Sequence, residues 1–509
     1  MEASYTVKDF RHTVKDYLKV LAYVLLILGF TLLIHNLMEE CDDCLVIKSL
    51  SLEDNIYNDL HYDRFMNKIR HRIKVQPFNL VAFVIFLASI IHSFFAPKIH
   101  YYALRLEKER KRKGQPEPFY IEILKFFGEV EVVFGLWVIP MMVSMYFFYD
   151  WKTCIKYLDS RSYIEPAFVV VIMVIASTRP IISFAESFLK WFAKLGKETV
   201  TSWWLAILTI GPFAGSLITE PGAMTISALL LRSQFYQLKP SKMLSYATLG
   251  LLFTNLSVGG VLTSFAAPPV IMVGKIWKWD SLYMMTHFGC KAFIGILLAN
   301  AVYYLFFRKE LKELEGRKQA FLKTETKEKK IPFWVTLTHI FFLIWVIAYA
   351  HYPVIFIGTF LFFIGFYRAT LPHQDYLNLK APMLVGFFLA GLVVLGSLQA
   401  WWITPFLGGM DQGFLMFLSI FLTAFNDNAG ITYLASLIPS LAEGMKYSIM
   451  AGAVVGGGLT VIANAPNPLG RSILVEHFPK GIKPLPLFYG ALIPTLIMAA
   501  SFYLLSPLY

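Results

Sequence analysis

Two short strings in this chain set acid, amide and hydroxyl oxygens inside stretches that are otherwise apolar. LITEPGAMTISALLL carries Thr219 and Glu220, and AFNDNAGITYLASLIPS carries Asn426, Asp427 and Asn428. Each is followed by a glycine-rich string: TNLSVGGVLTSFAAPPV with Asn255 and Thr263, then AVVGGGLTVIANAPNP with Asn464 and Asn467. Carboxylate, carboxamide and hydroxyl oxygens suit a hard cation. The Gly-Gly pairs and prolines break helices and free backbone carbonyls to join them. A carboxylate at membrane depth costs about 2.5–3.5 kcal/mol on insertion scales, so it is seldom incidental. Such a group can hold a proton or a cation but not easily both, which is the physical basis of exchange. A plainer reading stands beside this one: Asp427 and Asn428 cap the helix that follows them, and Glu220, just before Pro221, marks a helix start.

The strings correspond. Aligning Thr225 with Thr432 sets Glu220 opposite Asp427 and Thr219 opposite Asn426. Aligning Gly259-Gly260 with Gly456-Gly457 sets Thr263 opposite Thr460 and Pro269 opposite Pro466. Two strings in the same order in both halves indicate internal duplication, and helix interruptions at matching places are the sequence mark of an ion site at mid-membrane.

The elements that must position these residues follow from composition. Of 509 residues, 57% are hydrophobic and 16% charged, against about 25% charged in soluble domains. The formal charge of +12 gathers in loops between apolar segments, as in cytoplasmic membrane loops, and this sets nucleic-acid binding aside. Cys41 and Cys44 form an isolated CxxC among acidic residues, read as loop cysteines, so no metal, redox or other cofactor framework is expected. Apolar segments fall at 18–38, 78–96, 118–148, 164–190, 200–231, 245–275 and 282–307, then at 331–350, 353–368, 381–403, 411–440, 447–470 and 484–507. This divides the chain into an N-terminal helix and extracytoplasmic loop (1–77), a first repeat (78–307), a charged cytoplasmic linker (308–330) and a second repeat (331–509). The basic loop at 97–117 belongs in the cytoplasm. Alternation of sides works if 200–231 and 411–440 are re-entrant hairpins entering from opposite faces. The expected fold is an all-α polytopic membrane protein, with about eleven transmembrane helices and two re-entrant hairpins in two inverted repeats, its N-terminus cytoplasmic.

Other intramembrane charges are less specific. Glu129 and Glu131 are expected to point to different faces of one helix. Arg179 lies mid-segment before Pro180, with Glu186 two turns on. These four make either an internal ion pair or a proton relay. His92, His287 and His339 are expected near helix ends, and Lys291 is expected to snorkel outward.

The GG-x-LT strings and the FNDNAG hairpin resemble the ion transporter superfamily, which includes NhaD-type sodium/proton antiporters, citrate and dicarboxylate transporters and arsenite pumps. The segment PMLVGFFLAGLVVLGSLQAWW is similar to the helix before the second hairpin there. Within that group, residues 78–507 most resemble the bacterial sodium/proton antiporters. The resemblance implies a bacterial inner-membrane protein and a homodimer, with a scaffold domain and a moving transport domain that holds both hairpins and both broken helices. The tips depart from the Ser-Asn-Thr of the dicarboxylate branch, and their acids would repel a dicarboxylate and attract a cation. The first tip, Thr219-Glu220-Pro221, departs from the antiporter pattern too. The expected activity is exchange of Na⁺ or another alkali cation for H⁺, with Na⁺ at Asp427 and Asn464. Na⁺-coupled symport of a carboxylate or oxyanion is the alternative. No HExxH, GxSxG or phosphate-binding loop suggests an enzyme.

Overall fold

The computed structural model describes residue 50 and residues 54–506, except 60, 63, 322–330, 409, 440 and 480. The helix expected at 18–38, Cys41, Cys44 and the second part of the charged linker lie outside the described residues, which contain helices and no strand. They fall into two compact units, the described residues up to 163 with those of 387–408, and those of 164–386 with those from 410 on.

The first unit contains α1 (Phe65–Val75), α2 (Phe78–Arg112), α3 (Phe119–Phe127), α4 (Val133–Phe148), α5 (Trp151–Asp159), the later part of α16 (Lys380–Gly396) and α17 (Ala400–Leu407). Two expectations fail in it. The basic run read as a loop is the end of α2, whose apolar stem continues through Pro97 to Arg112. The 118–148 segment is two helices separated by Gly128 and a short 3₁₀ turn, Val130–Val132. A buried ion pair ties the start of this unit together: Arg72 Nε donates to Asp59 Oδ2 at 2.6 Å, and Arg72 Nη1 donates to the Trp401 carbonyl at 2.7 Å. Burial alone would raise the Asp59 carboxyl, but the hydrogen bond and charge of Arg72 outweigh it and hold Asp59 below the usual carboxylate range.

The second unit contains all four motif strings. Its helices are α6 (Ile164–Ala176), α7 (Arg179–Leu195), α8 (Val200–Ile218), α9 (Glu220–Gln234), α10 (Lys242–Gly259), α11 (Pro268–Trp277), α12 (Ser281–Met284), α13 (Cys290–Phe321), α14 (Phe333–Ala348), α15 (Pro353–Ala369), the start of α16, then α18 (Gln412–Phe425), α19 (Asn428–Ser436), α20 (Glu443–Gly456), α21 (Asn467–Leu474) and α22 (Pro484–Leu504). The 164–190 segment is not one helix: it breaks at Ser177-Thr178 and bends by 68° between α6 and α7. Arg179 is therefore the first residue of α7 rather than the middle of one continuous helix, and Pro180 supplies the preset φ and absent N–H suited to that first turn. The charged segment after 307 begins as helix, since α13 runs on to Phe321.

Among the described residues, six helical stretches are long and apolar enough to cross a membrane, or seven if the bent pair is one span. Short polar side chains set the helix starts around the motifs. Thr199 caps α8, Ser241 caps α10, Asp411 caps α18 and Asp427 caps α19, each accepting from backbone N–H groups of the first turn. Glycines let the helices approach: a Cβ on Gly250 would lie 2.2 Å from the Gly490 carbonyl carbon where α10 packs on α22, and one on Gly452 would lie 2.3 Å from the Met416 carbonyl oxygen where α18 packs on α20.

Candidate functional site

Both hairpin strings form a helix, a sharp break and a second helix, and both glycine-rich strings form broken helices. In the first half the chain turns at Thr219 between α8 and α9, and α10 and α11 are separated by residues 260–267. In the second it turns at Asn426-Asp427 between α18 and α19, and α20 and α21 are separated by residues 457–466. The packing is crossed: α9 lies on α21 and α19 lies on α11, so each half supports the other's turn.

Backbone bonds fix which residues correspond. Glu220 N–H donates to the Ala266 carbonyl at 3.3 Å, and Asn428 N–H donates to the Ala463 carbonyl at 3.1 Å. Thr263 Oγ1 donates to the Ser216 carbonyl, and Thr460 Oγ1 to the Ala424 carbonyl. A Cβ on Gly259 would strike the Pro212 backbone, and one on Gly456 would strike Ile420 O. All three relations pair Glu220 with Asn428 and Thr219 with Asp427. The pairing read from the sequence, Glu220 with Asp427, is off by one residue. It rested on Thr225 and Thr432, whose hydroxyls each reach the carbonyl four residues back in their own helix, a bond common to helical threonines that sets no register; Thr432 also bonds the Pro269 carbonyl of the first half at 3.1 Å.

The seat of Glu220 is consequently specific. Its side chain is 0% exposed, and Asn464 Nδ2 donates to Oε2 at 3.1 Å, joining the first turn to the second break. Oε1 has no hydrogen-bond partner, and no lysine, arginine or histidine among the described residues pairs with the carboxylate. It rests on Gly260, where a Cβ would come within 2.3 Å of Cγ and 2.6 Å of Oε1. The Asp427 charge is close enough to act on it. In the corresponding seat Asn428 lies beside Gly457, with a long 3.5 Å bond from Nδ2 to Ser257 Oγ. Asp427 is 8% exposed, and its Oδ1 accepts from Ala429 N–H at 2.8 Å, so the capping reading is correct for this residue. Asn426 Oδ1 accepts from the N–H of Asp427 at 3.0 Å.

Several buried oxygens around the two turns have no partner: Thr219 Oγ1, Glu220 Oε1, Asn428 Oδ1 and Asn464 Oδ1, with Thr254 Oγ1 and Thr423 Oγ1 nearby in the packed helices. A buried oxygen without a donor costs about 1–3 kcal/mol, and oxygens gathered in this way have the chemistry to receive a cation or a proton. Thr219 adds backbone strain. Its φ of 69° and ψ of 150° fall in a region that is essentially glycine's. Among the described residues no group of three or more His, Cys, Asp or Glu side chains could hold a metal ion, so the set is one of mixed acid, amide and hydroxyl oxygens.

The remaining expected ligands act as braces. Asn467 Nδ2 donates to the carbonyls of Gly457 at 2.7 Å and Thr460 at 2.9 Å, satisfying backbone that the break leaves open. Asn255 Nδ2 donates to the Leu208 carbonyl and to Asn300 Oδ1, linking α10 to α8 and α13. Thr263 holds α8 through Ser216. Asn300, Ser216 and Ser257 were not singled out from the sequence, because an isolated Ser or Asn in an apolar run carries no local signal. Glu129 and Glu131 lie in the first unit at the 3₁₀ turn, with Glu129 3.6 Å from His100 Nδ1. Arg179 and Glu186 lie in the second unit, with Arg179 3.9 Å from Asp375. His92 and His339 are mid-helix rather than near helix ends: His92 bonds the Phe127 carbonyl and Trp137, and the fully buried His339 bonds the Val335 carbonyl and Gln374. Lys291 does not snorkel outward. It is 6% exposed, bonded to the His287 carbonyl, and lies over the Tyr447 ring at 5.1 Å.

Compared with known proteins, residues 77–505 match the model of a protein family described as "Putative Na+/H+ antiporter". No curated protein matches the chain.

Proposed function

The chain belongs to this Na⁺/H⁺ antiporter family, and on that premise we propose that Na⁺, or another alkali cation, and H⁺ exchange by competing for the Glu220 carboxyl. The observation that carries the reading is a fully buried carboxylate with one oxygen held by Asn464 from the other repeat, one oxygen unpartnered and no cationic side chain paired with it. A carboxylate so removed from water has to be neutralised. A proton on Oε1 does this. A cation held by Oε1 with Asn464 Oδ1, Thr219 Oγ1 and Asn428 Oδ1 does it equally, and the two exclude each other. Asp427 stays the fixed anion that caps α19 and draws the cation in.

The turn regions are proposed as re-entrant hairpins within two inverted repeats, making about eleven spans with the N-terminus in the cytoplasm of a bacterial inner membrane, in a homodimer. In support, α19, α11 and α21 have nine, ten and eight residues. At 1.5 Å per residue they reach about 12–15 Å, half of a hydrocarbon core of about 30 Å. α8 is long enough to cross alone, so the first hairpin reaches deeper than the second. Glu129 beside His100 and Arg179 beside Asp375 serve in this reading as structural pairs, and Glu131 and Glu186 stand with them outside the exchange step.

Everted vesicles with a preset acid interior test the proposal. Na⁺ added outside should collapse the gradient with wild-type protein, Glu220→Gln should abolish this, and Asp427→Asn should weaken it. Undiminished exchange by Glu220→Gln contradicts the assignment.

A further inference from the structure

Two cavities among the described residues of the second unit differ in character. One, of about 510 Å³, is lined mainly by Tyr, Phe, Met and Pro side chains of α10, α13 and α22, chemistry suited to lipid tails. The other, of about 520 Å³, lies among α6, the 260–267 break, α11 and the end of α14. Glu165, Lys275, Lys278, Asp280 and His351 line it, and all but the half-buried Glu165 are exposed. Five ionisable groups of both signs require water rather than acyl chains around them. The volume admits roughly a dozen or more waters at about 30 Å³ each, enough for a hydrated alkali ion.

Its inner wall is the break that seats Glu220. Ser264 and Phe265 line the cavity, and Ser264 N–H donates to Ser281 Oγ at 3.2 Å, closing the wall between the break and α12. The next residue, Ala266, gives its carbonyl to Glu220 N–H. One residue before Ser264, Thr263 bonds the Ser216 carbonyl of α8. The water-facing cavity and the buried carboxylate thus sit on two sides of a strip of backbone a few residues long.

Resting on the exchange reading above, we propose that this cavity is the aqueous vestibule through which cations reach the Glu220 seat, and that the 264–266 backbone is its inner gate. With the central linker cytoplasmic, α11 and α14 both end at the opposite face, so the vestibule opens outward. Glu165 and Asp280 raise the local cation concentration, and Lys275 and Lys278 oppose it.

The test uses the full chain with Cys41, Cys44, Cys154 and Cys290 replaced by serine or alanine, reconstituted into liposomes of known orientation. A membrane-impermeant, positively charged methanethiosulfonate is applied to Ser264→Cys, with Lys152→Cys, exposed at the start of α5 and on the outer face in the proposed topology, as the control. Modification of Ser264→Cys from the outer face should cut Na⁺-driven proton movement at least five-fold, while the control is labelled without effect. Ala350→Cys, on the α14 side of the same cavity, is the second variant if Ser264→Cys does not fold, and it should behave alike. Full exchange after complete labelling, or labelling from the inner face alone, overturns the vestibule while leaving the exchange reading intact. If the unmodified protein moves no protons with any alkali cation, the exchange reading falls and takes the vestibule with it.

Discussion

Replacing Thr219 with glycine should make the cation-free protein more stable and the cation-bound protein relatively less so. The native residue adopts φ 69° and ψ 150°, a backbone state that costs a non-glycine residue about 1–3 kcal/mol. Its hydroxyl is buried without a partner, a further cost of about 1–3 kcal/mol. Glycine removes both. Against this stand about 0.5–1 kcal/mol for the added freedom of the unfolded chain and about 1.6 kcal/mol for the two lost carbons, Cβ and the methyl group. Central values leave a net gain of about 2 kcal/mol. Saturating cation acts in the opposite sense. At a hundred times Kd it stabilises wild type by about 2.7 kcal/mol, and a ten-fold loss of affinity from the missing hydroxyl leaves about 1.4 kcal/mol. The assay is thermal unfolding of purified protein, first without alkali cation and then with excess Na⁺. Thr219→Gly should melt above wild type in the first condition and gain about half as much from Na⁺. A lower melting point without cation refutes the strain argument, and an unchanged Na⁺ increment refutes the hydroxyl's part in binding.

Other substitutions probe the same construction. Gly260→Ala places a Cβ within 2.3 Å of Glu220 Cγ, so the carboxylate must shift, and the Na⁺ concentration for half-maximal exchange should rise at least ten-fold with folding retained. Asn467→Ala opens the carbonyls of Gly457 and Thr460 and should cost about 2–4 kcal/mol at about 1–2 per bond, read as a lower melting temperature. In the first unit, the lowered Asp59 carboxyl contributes stability that is complete above its unfolded value of about 3.9 and is lost as pH falls through the lower folded value. Melting temperatures taken from pH 6 down to pH 3 should therefore drop more steeply for wild type than for Asp59→Asn, and parallel curves would contradict the pairing.

Much of the site was legible because its signals are local. Gly-Gly, Asn-Pro and Glu-Pro inside apolar runs announce interrupted helices, and each of the four strings forms a break. The register between the halves was not legible, because it is fixed by bonds between distant backbone groups, Glu220 to Ala266 and Asn428 to Ala463. The matching threonines that suggested another pairing share only the bond each makes within its own helix. The division between ligands and braces was hidden for the same reason: Asn464 and Asn467 are three residues apart and chemically identical, yet one faces Glu220 and the other ties down loose carbonyls. Hydropathy located apolar segments but not the kink at Ser177-Thr178, since neither residue is polar enough to interrupt the run. Lys291 and His339 were misplaced because a ring face or a carbonyl can satisfy a buried cation or imidazole without leaving a pattern in the sequence.

Competition between proton and cation for one carboxyl is measured most directly by counting protons released when Na⁺ binds to purified protein. Calorimetric titration in two buffers of different ionisation enthalpy gives that count. At a pH where the cation-free seat is protonated, wild type should release about one proton per Na⁺ bound, and Glu220→Gln should release none. Na⁺ binding with equal proton release by both proteins would contradict the account.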